Sequence, residues 1–199
     1  MTIIVCVMKT GGEYNRTHVE NLKDMVGNHP FVCLSDDPSV PGYRPLQDNL
    51  PGWWSKIEAF KIPGPVLFLD LDTIVLGGID EILEQAKQHE FLILRDVYRG
   101  KQDPKAMQSS VMSWAGDVSY MYDEFIGMAA HWMMSVRDDQ RYIEMVAKQV
   151  EYWQDILPDG LVSFKVSVQG KSIPQDAKII FFHGYPRPWQ QSEVQYGSR

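Results

Sequence analysis

The stretch that most constrains this chain is Gly64-Pro65-Val66-Leu67-Phe68-Leu69-Asp70-Leu71-Asp72-Thr73-Ile74-Val75-Leu76. Val66 to Leu69 is a continuous apolar run opened by Gly-Pro, the pattern of a strand covered on both faces. It runs directly into two carboxylates. Side chains two apart in extended backbone point the same way, so Asp70 and Asp72 are expected to converge while Leu71 turns into the core. Two hard oxygen donors at that spacing suit Mg²⁺ or Mn²⁺, which take a few carboxylates together with the oxygens of a diphosphate. A simple strand end capped by a turn is the competing reading, and Asp-x-Asp alone does not separate the two. Position favours the cation, because ligands of open α/β sheets collect at the carboxyl ends of their strands.

The rest of the chain supports such a sheet. Ile3–Met8 reads as a first strand, followed by the flexible turn Lys9-Thr10-Gly11-Gly12. Thr17 and Glu20 form a capping-box pattern for a helix with Val19, Leu22, Met25 and Val26 inward, stopped by Gly27. Phe31–Leu34 is a second strand. Trp53, Ile57 and Phe60 share one helical face, and a helix around 80–89 and a strand over 90–94 follow the central strand. This strand–helix alternation predicts a mostly parallel sheet with helices on both faces. In the second half, 109–114 alternates like a strand, 124–136 and 138–153 read as helices, and 161–168 and 178–183 read as strands that complete the sheet.

The 199 residues are 44% hydrophobic, enough for one globular domain with a real core. The domain is placed at 1–189, with 190–199 as a polar tail that frays. A net charge of −7 with no basic block argues against nucleic acid as a partner. The opening apolar run has no charged segment before it and is too short for a signal peptide or a membrane span. Cys6 and Cys33 lie in expected buried strands and read as reduced core thiols, so a cytoplasmic location is expected.

Three segments together resemble a GT-A glycosyltransferase of the glycogenin and bacterial galactosyltransferase type, family 8. They are Gly-Trp-Trp-Ser-Lys-Ile-Glu-Ala-Phe at 52–60, the Asp-x-Asp strand, and His-Gly-Tyr-Pro-Arg-Pro-Trp at 183–189. The resemblance runs from the first strand to Trp189 and implies a single-domain, Rossmann-like GT-A fold. It implies a hexosyltransferase that moves a sugar from a nucleotide-sugar donor, a UDP-sugar, to a glycan, lipid or protein acceptor with Mn²⁺ or Mg²⁺ as cofactor. Asp70 and Asp72 then match the metal-binding pair, and Asp70 also reaches the donor. Lys56 stands at a basic position that contacts the sugar nucleotide. The Lys9–Tyr14 loop holds the base, with Tyr14 as stacking partner and Asp36 or Asp37 on the uracil or ribose. Gly184 and Arg187 form the diphosphate clamp, with Arg187 in place of the family's Lys. Trp153-Gln154-Asp155 matches the family's Asp-Gln-Asp, which gives Gln154 and Asp155 the catalytic positions.

Two departures stand out. The family's metal-binding His lies three residues before the Gly, where this chain has Phe181, so His183 is the expected third ligand in its stead. Trp153 also replaces a carboxylate expected at the donor sugar.

Simpler roles stand beside these. Trp53 and Trp54 read as packing residues as well as a sugar platform, and Lys56 as the polar side of a helix. His18, His29, His89 and His131 read as solvated or helix-face residues, and Met128, Met133 and Met134 as core filling. Ser109 and Ser110 lack a paired His and Asp, and Gln108-Ser109-Ser110 is instead expected along the sugar pocket. Besides sugar transfer, two functions compete. One is a GT-A-like binder of nucleotide sugar and metal without turnover. The other is a phosphatase of the haloacid dehalogenase type, whose nucleophile strand Phe-Leu-Asp-Leu-Asp-Thr resembles, although that motif opens its own fold and has its Thr one place later.

Overall fold

The computed structural model of the chain describes residues 1–194. In order, the elements are β1 (Ile3–Met8), α1 (Arg16–Val26), β2 (Phe31–Ser35), β3 (Tyr43–Pro45) and a 3₁₀ helix (Gly52–Lys61). Next come β4 (Val66–Leu69), β5 (Thr73–Val75), α2 (Ile79–Gln85), β6 (Phe91–Arg95), β7 (Met107–Trp114), α3 (Ser119–Gly127), α4 (Ala129–Ser135) and α5 (Asp139–Val146). The chain continues through β8 (Val150–Tyr152), α6 (Trp153–Ile156), β9 (Leu161–Ser163) and β10 (Ile179–Phe181).

Seven strands form the main sheet in the order β3-β2-β1-β4-β7-β6-β8. β1 is parallel to β2 and β4, while β7 is antiparallel to both of its neighbours. Alternation along each strand divides the core. Ile4, Cys6, Leu67, Leu69, Leu92 and Leu94 face α1, α2 and Trp153, whereas Val5, Phe68, Ile93, Met112 and Trp114 face the 3₁₀ helix and α3 to α5. The expected mostly parallel α/β sheet with helices on both faces is therefore present. Cys6 and Cys33 are register neighbours on β1 and β2, both buried and free.

Several boundaries differ from the sequence reading, each for a local reason. Residues 66–75 are two strands, because Asp70 to Thr73 closes a turn: the Thr73 N–H and hydroxyl both donate to the Asp70 carbonyl, at 3.1 and 2.7 Å. The second of those strands, β5, joins β10 and β9 in a separate three-stranded sheet, so the late strands do not complete the first sheet. α1 is capped by Asn15 and His18 rather than Thr17 and Glu20. The Asn15 side chain accepts from the Thr17 N–H, and His18 Nδ1 accepts from the Asn15 N–H, both at 3.0 Å, so His18 is a buried capping residue. The 138–153 segment holds α5 and β8 in place of one helix, and 161–168 leaves the strand at Ser163. The tail is ordered further than its polarity suggests. Val194 is buried against Ile74, Val162 and Phe182, and Glu193 accepts from the Gly170 N–H at 2.8 Å. Residues 195–199 of the expected tail lie outside the described residues. Among the described residues no helix is long and apolar enough to cross a membrane.

Trp114 ties the fold to the site. It is fully buried, its indole N–H donates to the Ile62 carbonyl at 2.9 Å, and its ring lies 5.4 Å from that of Phe60. These contacts pin the end of the 3₁₀ helix to β7. Trp114→Ala is expected to lose about 3–5 kcal/mol of stability in urea unfolding. A loss under about 1 kcal/mol would show that this segment does not rest on the indole.

Candidate active site

β4 ends beside β1 and β7, and the Asp70 N–H is held by the Ser110 carbonyl at 2.8 Å. The 3₁₀ helix brings Lys56 under this edge. Its ammonium lies 2.9 and 3.0 Å from the two oxygens of Asp70, 3.1 Å from Asp139 and 3.2 Å from the Ser109 hydroxyl. Ser109 in turn reaches Asp139 at 3.2 Å. Burial works against the Lys56 charge, yet Asp139 and Asp70 overcome it and raise the pKa. Burial pushes the Asp70 carboxyl up to about 7, with Asp72 and Asp139 adding to the rise and Lys56 opposing it.

Asp72 sits across the turn with a different partner. Its side chain is only 5% exposed; it accepts from Arg187 Nη1, and burial raises its pKa against the pull of Arg187, Lys56 and Tyr14. Arg187 Nη2 reaches Glu13, and the buried Arg187 Nε has no hydrogen-bond partner among the described residues. Tyr14 meets the rings of His18 and Trp189 edge-on at 5.7 and 5.8 Å, with the guanidinium 5.6 Å from its centroid. A cleft of about 480 Å³ opens above, lined among others by Lys9, Gly11, Trp53, Lys56, Asp70 and Arg187. Trp53 stands at its edge 59% exposed, while Trp54 is buried against Phe125.

The structure thus brings Lys9, Tyr14, Lys56, Asp70, Asp72 and Arg187 to one edge of the molecule. Of the two carboxylates expected on the nucleoside side, Asp36 accepts from the Thr10 N–H and hydroxyl at 2.9 and 2.8 Å and lies 3.5 Å from Lys9. Asp37 instead accepts from the Ser39 N–H within its own turn at 2.9 Å. Gly184, at φ 69°, takes the left-handed turn that leads into the Arg187 loop.

Three expected residues are held elsewhere. His183 Nε2 pairs with the Ser163 hydroxyl at 2.7 Å, beside Tyr98, rather than with the carboxylates; burial and Lys165 lower its pKa. Among the described residues no group of three His, Cys, Asp or Glu side chains is arranged to hold a metal. The Gln154 amide bonds both backbone groups of Arg95, at 2.8 and 3.0 Å, and Asp155 takes the Arg95 guanidinium with two bonds of 2.9 and 2.6 Å. Both clamp α6 onto β6. Trp153 beside them is fully buried, so a core residue stands where a carboxylate was expected. Phe181 is likewise buried in the core.

Sequence reasoning missed Asp139 and Glu13. A signal for Asp139 was present, since Asp139, Tyr142, Ile143 and Val146 follow helical spacing and all are buried. Glu13 had none, because its partner lies 174 positions downstream in the Arg187 loop.

No family model and no curated protein matches the chain. Solved structures do. The glycosyltransferase GlyE of Streptococcus pneumoniae superposes with a TM-score of 0.68 at 15% identity, over 96% of this chain and 57% of that one. The galactosyltransferase LgtC, solved with donor and acceptor sugar analogs, gives 0.64 at 10% identity over 97% and 91%. Mouse xyloside xylosyltransferase 1 gives 0.54 at 11% over 94% and 98%. The chain therefore spans little more than half the length of GlyE. These likenesses define its fold as the GT-A fold of glycosyltransferases.

The core position of Trp153 gives a test. Trp153→Asp, which restores the carboxylate of the resembled motif, is expected to lose about 3–5 kcal/mol in urea unfolding by opening a cavity and burying a charge. An unchanged unfolding midpoint with tighter nucleotide-sugar binding would show instead that the position faces the donor.

Proposed function

We propose that this chain is a glycosyltransferase that takes its sugar from a nucleoside-diphosphate donor, a UDP-sugar. One observation carries the reading. At the end of the central strand of a GT-A fold, Asp70 meets Lys56 and Asp72 meets Arg187, and Asp70, Lys56 and Arg187 line one cleft.

The donor set suits a divalent cation. Asp70 and Asp139 share Lys56, and Asp72 and Glu13 share Arg187, so each cationic side chain is met by two carboxylates. Two carboxylates without a third protein ligand fit a cation whose remaining positions are filled by phosphate oxygens and water. Asp70 and Asp72 are the residues that would hold it, and His183 has no part in it. Bound there, the cation would neutralise charge on the diphosphate leaving group.

The remaining roles belong to the protein's own side chains. Lys56, fixed by three partners, holds Asp70 in place and keeps a positive charge beneath the cleft. Arg187 presents a planar guanidinium, a good bidentate partner for phosphate, and its free Nε is a donor awaiting an acceptor. Asp36 anchors the Lys9–Tyr14 loop through Thr10, which shapes the nucleoside side. Residues 1–189 act as one catalytic domain, and the two free buried cysteines favour a cytoplasmic setting. The acceptor is a glycan, lipid or protein.

A second reading has its own support. With Trp153 in the core and Gln154 and Asp155 engaged by Arg95, the late motif offers no free carboxylate, as in a nucleotide-sugar binder without turnover. Release of UDP from a UDP-sugar separates the two. The phosphatase alternative is disfavoured, because GlyE, LgtC and xyloside xylosyltransferase 1, whose structures superpose on the chain, are glycosyltransferases.

Thermal shift with UDP and UDP-sugars tests the donor reading. Ligand at a hundred times its Kd stabilises by about 2.7 kcal/mol, a shift of a few degrees for a domain of this size. Mn²⁺ is expected to enlarge the shift in wild type. In Asp70→Asn and Asp72→Asn the Mn²⁺-dependent part is expected to vanish while the folded baseline persists. A variant that keeps the full Mn²⁺-dependent shift sinks the metal assignment.

A further inference from the structure

Arg187 is bonded to carboxylates at the site where a phosphate clamp should stand open. Its Nη1 holds Asp72 and its Nη2 holds Glu13, while its buried Nε has no partner among the described residues. Asp72 is nearly inaccessible, and an uncompensated charge there would be costly. The guanidinium therefore neutralises the carboxylate that a cation needs.

We propose that Arg187 is a resident counter-ion for Asp72, surrendered only when a divalent cation and a nucleoside diphosphate enter together. This rests on the donor reading above. A cation arriving alone meets the Arg187 charge at Asp72 and offers the guanidinium no new anion. A diphosphate arriving alone meets Asp70 and Asp72 with Lys56 and Arg187 already paired to them. When both arrive, the ion pairs exchange: Asp72 turns to the cation and Arg187 to a phosphate, where Nε also gains an acceptor. The surroundings suit such an exchange. The Tyr14 ring lies 5.6 Å from the guanidinium, Glu13 tethers the guanidinium's other end, and Gly184 and the exposed Tyr185 start the loop that must shift. The two ligands are then coupled through this chain's own ion pair, and coupling is reciprocal.

The test is a binding square measured by calorimetry and by the electron-spin signal of free Mn²⁺, using Mn²⁺ alone, UDP alone, and each in the presence of the other. In wild type each is expected to tighten the other by about ten- to a hundredfold, the range of a charge-assisted hydrogen bond gained or lost. Arg187→Gln is expected to bind Mn²⁺ alone more tightly than wild type by a similar factor, to bind UDP with Mn²⁺ more weakly, and to lose most of the coupling. These opposite signs set the proposal apart from a purely structural role, which would weaken both. Tightening below about threefold in the wild-type square overturns it without recourse to any variant. If wild type binds UDP with Mn²⁺ but Arg187→Gln binds Mn²⁺ no more tightly, the counter-ion role falls and the donor reading stands. If wild type binds no UDP even with saturating Mn²⁺, the donor reading falls and the exchange falls with it.

Discussion

The geometry of the site depends on one buried ammonium. Lys56 is held by Asp70 from the end of β4, by Ser109 from β7 and by Asp139 from the start of α5. The cluster joins four elements of the chain, and Lys56 cannot leave without stranding the charges of Asp70 and Asp139 in the interior. Breaking such a pair on one side costs about 3–5 kcal/mol, although the intact pair adds little net stability after desolvation. Its value here is positional. It fixes the 3₁₀ helix against the sheet, and so sets where Asp70 stands relative to the cleft.

The second sheet supplies what the first lacks. The turn at Asp70–Thr73 sends β5 away from β4 and into register with β10, pairing Thr73 with Phe181. That pairing brings the chain after Phe181 back to the Asp-x-Asp turn, so Arg187 can meet Asp72 across 115 positions of sequence. The central strand and the late loop are thus two halves of one charged site, joined by a strand pair. His183 leaves β10 where its ring meets Ser163 and Tyr98, and for that reason it is not delivered to the carboxylates.

Some of this was legible in the residues themselves. The apolar run Val66–Leu69, the alternation along the first strands and the helical stripe of Val19, Leu22 and Val26 determined the α/β class, because burial on both faces of a sheet leaves a local pattern. The Asp-x-Asp pointed to a candidate site because strand ends of open sheets are where ligands meet polar side chains, and the 183–189 segment pointed there through its resemblance to a known family. What only the tertiary structure decided was partnership. That Asp70 belongs to Lys56 and Asp72 to Arg187, that Asp36 rather than Asp37 holds the first loop, that Gln154 and Asp155 clamp Arg95, and that Trp153 and Phe181 are core residues all depend on contacts between distant segments. Charge and hydrogen bonding act over a few ångströms in space and record nothing in sequence spacing, so a motif could show which groups were available but not which would meet.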